Sequence, residues 1–201
     1  MANIRSICVY CGSQDGGNGA YRQAAETFGK LMAQRGLRLV YGAGAKGIMG
    51  AIARSVLKHG GEVTGIIPEF LLGKEASHGW LPQLTEAIVT ADMHERKHRM
   101  FDRADAFVAL PGGIGTLEEI VEILTWAQLA RHKKPIGLLN VKGFWDPLMT
   151  LLDHMRSEGF VHTQSLICPI VGDDPEKLLD AIAGAQPART DVVAEGRIER
   201  M

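Results

Sequence analysis

Cysteine is scarce in this chain of 201 residues: its three thiols, Cys8, Cys11 and Cys168, are too few for a disulfide framework. Cys8 and Cys11 form a C-x-x-C, a spacing used in redox and zinc sites, but no second cysteine pair follows. Cys8 also lies within the apolar run Ile7 to Tyr10, where a free cysteine serves as a small core residue. No metal cluster is expected. Excess charge is lacking as well, with 22 basic against 23 acidic residues and a formal net charge of -1. No global field then recruits nucleic acid or an anionic membrane, and any affinity for an anion has to come from a local site. Long hydrophobic runs are missing: none approaches a membrane span, and the start, MANIRSICVY, has no signal-peptide apolar region. The expectation is a cytoplasmic protein without a membrane partner.

What is present points to a globular fold. Hydrophobic residues make up 46% and charged residues 22%, and the length favours one domain. Short β-rich runs alternate with helical ones. Strands are expected at 6–10, 37–41, 63–67, 87–90, 106–110, 135–139 and 166–171. Helices are expected at 20–35, from 47 to about 59, 93–103, 116–131, 144–158 and 175–183. Residues 69–85 read as an irregular, mobile loop, and 185–201 as a loose tail after a domain spanning 1–184. Strands apolar on both faces and separated by helices imply α/β architecture: a single-domain, Rossmann-like open parallel sheet of about seven strands, with helices on both faces. Functional loops then belong at the strands' C-terminal ends.

Two glycine-rich loops stand between a strand and a helix. The first, Gly42-Ala43-Gly44-Ala45-Lys46-Gly47, fits G-x-G-x-x-G and lets backbone approach a phosphate at a helix N-terminus. The same glycines would also permit a tight turn, and both readings stay open. The second, Pro111-Gly112-Gly113-Ile114-Gly115-Thr116-Leu117-Glu118-Glu119, is more specific. Its glycines remove Cβ atoms where a phosphate could meet N–H groups, and Thr116 suits an N-cap. Thr116 and Glu119 would then also form a capping box.

The segment Asp92-Met93-His94-Glu95-Arg96-Lys97 opens a basic helix, with Asp92 as N-cap and Glu95 paired to Arg99. On its own it could be a solvated face. Combined, Met93-His94-Glu95-Arg96-Lys97 and the second glycine loop closely resemble the paired signature of the LOG ("lonely guy") phosphoribohydrolases, P-G-G-x-G-T-x-x-E with an upstream M-H-x-R-K. Cys11-Gly12-Ser13, the Tyr41–Gly50 segment and Thr125-Trp126-Ala127-Gln128 share the likeness, which spans roughly residues 5–180. Such proteins have often been labelled lysine decarboxylases, yet nothing here resembles a pyridoxal-phosphate lysine site.

The resemblance implies cleavage of a purine nucleoside 5'-monophosphate into free base and ribose 5-phosphate, with no cofactor. It implies Arg96 and Glu119 as catalytic residues. Glu86, Lys97, Gly112, Gly113, Ile114, Gly115, Thr116, Leu117, Glu118 and Thr125 become nucleotide contacts, with Gly12, Ser13 and Gly44 as further candidates. It also implies a homodimer, and the helix at 116–131 carries Ile120, Ile123, Leu124, Ala127 and Leu129, more apolar positions than one face needs. Ala43 and Ile48 depart from the family pattern, and the stretch 71–84 is longer than in common members. The alternatives are a general AMP nucleosidase, a nucleotide-binding module without catalysis, and an NAD-dependent oxidoreductase using the first loop.

Overall fold

A computed structural model describes residues 4–77, 79–161 and 168–185. Seven parallel strands form one sheet in the order β4-β3-β2-β1-β5-β6-β7. In chain order they are β1 (Ser6–Tyr10), β2 (Arg38–Tyr41), β3 (Val63–Pro68), β4 (Glu86–Thr90), β5 (Ala106–Ala109), β6 (Ile136–Leu139) and β7 (Ile170–Gly172). The helices are α1 (Gly19–Gln34), α2 (Gly47–Lys58), α3 (Met93–Asp102), α4 (Ile114–Gln128), α5 (Asp146–Ser157) and α6 (Pro175–Gly184). The expected tail, apart from Ala185, lies outside the described residues, as do Leu166 and Ile167 of the expected last strand.

The alternation of each strand sorts its side chains into two cores. Ile7, Val9, Leu39 and Tyr41 pack beneath α1, α2 and α6, against Phe28, Met32, Ile52 and Leu179. Cys8, Tyr10, Val40 and Phe107 pack on the other face, against Met100 of α3 and Ile120, Ile123 and Leu124 of α4. Burial on both faces removes the polar alternation of a half-exposed strand and leaves the continuous apolar runs seen in the sequence. Cys8 and Cys11 fall in different cores, so this C-x-x-C cannot chelate or cross-link. Burial, and secondarily the Glu119 carboxylate, pushes both thiols well above the usual range, so they stay neutral.

Strand order reverses at β1, which lies between β2 and β5. In an open α/β sheet that reversal leaves a crevice beyond the C-terminal ends of the strands.

Two expectations change. Helix α4 begins at Ile114, two residues early, with Gly113 as N-cap and no side-chain cap. Thr116 is therefore the third helical residue, and Glu119 lies one turn beyond a capping-box position. Thr116 was expected as the cap because its hydroxyl suits that position, but the helix starts on the preceding glycines, whose poor helix propensity the packing here overrides. The second change is in the stretch 69–85. It contains two 3-10 turns, Glu69–Leu71 and Leu81–Gln83, and it buries Ala76, Trp80 and Leu84.

Candidate active site

The crevice at the reversal is a cavity of about 310 Å³, to which the loops after β1, β2, β3 and β5 and the first turns of α3 all contribute. The β1 loop brings Gly12 and Ser13, and the β5 loop with α4 brings Gly113 through Thr116, Glu118 and Glu119. The two loops are sewn together where the Gly12 N–H donates to the Pro111 carbonyl at 3.1 Å.

The opening of α4 is bare. A Cβ placed on Gly113 or Gly115 would meet nothing within 4 Å, so the space there is unfilled by protein. A Cβ on Gly112 would come within 2.1 Å of the Thr116 hydroxyl and 2.8 Å of the Gly12 nitrogen, so Gly112 is required by close approach. The first N–H groups of a helix have no partner within it, and its positive end favours an anion. The first helical bond of α4 is donated by Leu117 to Gly113 at 3.0 Å.

Arg96 on α3 and Glu119 on α4 face each other across this cavity, with Nη2 and Oε1 3.9 Å apart. Their side chains are only 6% and 12% exposed. Asp92 places Arg96 by capping α3: its carboxylate accepts from the Glu95 N–H at 2.9 Å, while the Glu95 carboxylate accepts from the Ala91 N–H at 3.0 Å. The guanidinium lies on Gly42, where an added Cβ would stand 1.8 Å from Nη2. Its Nε is buried without a hydrogen-bond partner. Burial pushes the Glu119 carboxyl up to about 7; Arg96 pulls it down, while Glu118 and Glu75 push it up further. The cavity thus holds a carboxylate poised near neutrality beside a buried cation.

Lys97 and Glu118, each one residue along from that pair, make contacts of their own. Lys97 Nζ donates to Glu118 at 2.7 Å and to Glu122 at 3.0 Å, tying α3 to α4. Burial works against the Lys97 charge, but these two carboxylates outweigh it and raise its affinity for the proton.

Other sequence candidates are not brought to the cavity. Glu86 is the first residue of β4, paired in register with Thr64 at the strands' N-terminal ends. It accepts from Arg103 and from the Thr64 hydroxyl, on the opposite edge of the sheet from the crevice. Thr125 lies further along α4, exposed, with its hydroxyl donated to the Val121 carbonyl at 2.8 Å. Leu117 points outward on α4. Gly44 holds the Met49 side chain instead of facing the cavity, since a Cβ there would meet Met49 Sδ at 2.8 Å.

In place of Glu86 the structure offers Glu75, a carboxylate on the cavity wall from the loop after β3. The signal was positional: loops after parallel strands face the crevice, whereas a residue that starts a strand faces away. Met49, Leu71, Met93 and Met100 give the cavity an apolar side. Among the described residues no cluster of His, Cys, Asp or Glu could hold a metal, and no helix is long and apolar enough to cross a membrane.

Comparison with known proteins identifies the family and the fold. The model of a family described as "Possible lysine decarboxylase" matches residues 49–182. A rice protein named cytokinin riboside 5'-monophosphate phosphoribohydrolase LOG is 48% identical over 160 residues, covering 80% of this chain and 65% of the rice protein. An Arabidopsis thaliana relative, LOG5, named for the same activity, is 39% identical over 198 residues, covering 98% of this chain and 86% of its own. The solved molybdenum cofactor binding protein of Rippkaea orientalis superimposes with a TM-score of 0.65 at 21% identity, covering 91% of this chain and 98% of that one. That likeness is one of fold. The chain belongs to the LOG family, the group that the family model describes as a possible lysine decarboxylase. Among the described residues no lysine lines the cavity, which leaves that description without a Schiff-base residue there.

Proposed function

We propose that this chain is a phosphoribohydrolase that uses water to split the N-glycosidic bond of a purine nucleoside 5'-monophosphate, releasing free base and ribose 5-phosphate. The observation that carries the reading is the buried Arg96–Glu119 pair, 3.9 Å apart beside an unfilled glycine-rich helix start. The 5'-phosphate sits at the N-terminus of α4, on the N–H groups of Gly113 to Thr116. Breaking the C1'–N bond builds positive charge on the ribose. Glu119, one turn into the helix that holds the phosphate, stabilises that charge as a carboxylate and orients the attacking water. Arg96 is a poor proton donor, so it positions the nucleotide and offsets charge on the departing base through donors such as its unpartnered Nε. Glu75 faces the same space and suits the ribose hydroxyls. Lys97 and Glu118 hold the two helices, and so the two catalytic groups, at fixed separation.

We further propose that the protein is a cytoplasmic homodimer. Of the apolar positions the sequence singled out on this helix, Ile120, Ile123, Leu124 and Ala127 are consumed by the protomer's own core, while Leu129 at its end is exposed. The outward stripe is Ile114, Leu117 and Val121, and Ile114 at 81% exposure also borders the cavity. A second copy on this stripe would shield both apolar surface and the mouth of the site.

Chromatography of AMP and isopentenyladenosine monophosphate incubated side by side tests the activity. Both are consumed and adenosine is spared, because phosphate binding positions C1'. Adenosine hydrolysed as fast as AMP contradicts the phosphate assignment, and a large bias between the two nucleotides identifies the natural substrate.

A further inference from the structure

The cavity wall formed by Leu71 and Glu75 belongs to the segment 69–85, and its fastening runs through Trp80. Trp80 is 5% exposed, and its Nε1–H donates to the Tyr41 hydroxyl at 3.0 Å in a buried contact. The Arg54 guanidinium lies 5.4 Å from the Trp80 ring centroid and donates to the Ala45 carbonyl at 2.9 Å. The Ala45 N–H in turn donates to the Glu75 carbonyl at 2.9 Å. Within the segment, the N–H groups of Lys74 and Glu75 both donate to the Leu71 carbonyl at 3.1 Å. Glu75 is therefore held at two points, by the Ala45 N–H of the first glycine loop and by the Leu71 turn, and Trp80 fastens the same segment five residues further on. Tyr41 immediately precedes Gly42, the floor on which the Arg96 guanidinium lies.

We propose that Trp80 is a positioning residue: through Tyr41 and Arg54 it locks the segment so that the Glu75 carboxylate faces the catalytic cavity at a fixed distance from Glu119. This rests on the proposed phosphoribohydrolase reading for its consequence in catalysis, but not for its geometry. The chemistry gives it a readout. The charged or titratable groups around Glu119 are Arg96 and Lys97 from α3, Glu118 from α4, Glu75 from this segment, and Cys8, Tyr10 and Cys11 from β1. Of these, Glu75 is the one whose place depends on Trp80. Its negative charge resists ionisation of Glu119, so releasing it lets Glu119 ionise at lower pH.

The test follows the Glu119 carboxyl by carbon-13 NMR titration, assigned by its loss in Glu119→Gln, with AMP kinetics alongside. Trp80→Ala moves the Glu119 midpoint to lower pH, as Glu75→Gln does, and the double variant moves it no further than either alone. Trp80→Phe keeps the ring over Arg54 but loses the N–H donor, and Tyr41→Phe loses the acceptor; both move it in the same direction by less. If Trp80→Ala does not fold, these two conservative variants carry the test. KM for AMP rises at least about fivefold in Trp80→Ala, while kcat falls less. A variant that melts earlier yet keeps the wild-type Glu119 midpoint and KM overturns the assignment and leaves Trp80 as a core residue. Wild-type protein that does not consume AMP defeats the functional reading alone, since the NMR titration still decides the role of Trp80.

Discussion

The two glycine-rich loops share a strand-to-helix setting and a similar spacing, yet they use the vacated space in opposite ways. In the first, the space is filled by the protein: Arg96 occupies the face of Gly42, Met49 that of Gly42 and Gly44, and the Ser13 backbone that of Gly47 at 2.4 Å. In the second, Gly112 is closed off by Thr116 and the Gly12 backbone, but Gly113 and Gly115 face open space. One set of glycines admits only the protein's own atoms, and the other also leaves room for a ligand. A glycine motif alone does not distinguish these uses, because the backbone requirement is the same. What separates them is whether a side chain from elsewhere in the fold arrives to fill the gap, which is decided by tertiary packing.

The comparison breaks most visibly at Gly42. Gly42→Ala forces the guanidinium off its floor, and steady-state kinetics should show turnover of AMP lowered by about a hundredfold with the fold retained. Arg96→Lys keeps the charge but loses the planar fork of donors, and a fall of about tenfold is expected. If Gly42→Ala is as active as wild type, Arg96 is not working from that position.

A methyl on the open loop should have a different signature. Gly115→Ala adds a better helix former at an uncrowded site, so the melting temperature stays level or rises, by up to about 1 kcal/mol of stability. It also encroaches on the phosphate space, so KM for AMP rises roughly tenfold. An unchanged KM would mean that the phosphate lies elsewhere.

The smallest effect is expected at Ala43, within the first glycine loop. Ala43 adopts a φ of 61°, a left-handed conformation that costs an alanine roughly 1 kcal/mol. Its methyl is buried toward Gly65, whose own Cβ would stand 2.9 Å from it, and Ala43 does not line the cavity. Ala43→Gly relieves the backbone but loses that contact and loosens the unfolded chain. Calorimetry should therefore show a change within about 1 kcal/mol, with kinetics unaltered; altered substrate preference would place the methyl in the pocket after all.

Much of this was legible in the sequence, for physical reasons. Strands buried on both faces read as unbroken apolar runs, so the seven parallel strands and their helices were visible from periodicity. Gly113 and Thr116 were visible because they sit at a helix start after a strand, where local sequence and site geometry coincide, whereas Arg96 and Glu119 were singled out only through the family signature they belong to. Glu86 was named by the family resemblance, which says nothing of strand polarity; it opens β4, away from the crevice. Glu75 and Trp80 were missed because a segment without periodicity gives no phase, and Trp80 is ordered by Tyr41, 39 residues earlier in the chain. The start of α4 was set two residues late because an N-cap without a capping side chain leaves no mark in the sequence.

The central claim is that Glu119 works as a buried carboxylate whose charge the fold tolerates for the sake of the reaction, and Glu119→Gln tests it most directly. With its carboxyl held at about 7 against an ordinary 4.5, the folded protein keeps a proton that the unfolded chain has released between those values. The group therefore opposes folding increasingly as pH rises toward 7, by about 3 kcal/mol at pH 8, and hardly at all below pH 4.5. Glutamine mimics the protonated form, and its capping role is moot because α4 starts at Ile114. Glu119→Gln should then be more stable than wild type at pH 8, equally stable near pH 4, still able to bind AMP, and slower in turnover by about a hundredfold. Wild-type kcat/KM should correspondingly fall as pH drops below 7. A Glu119→Gln protein that binds AMP and turns it over at the wild-type rate would contradict the account.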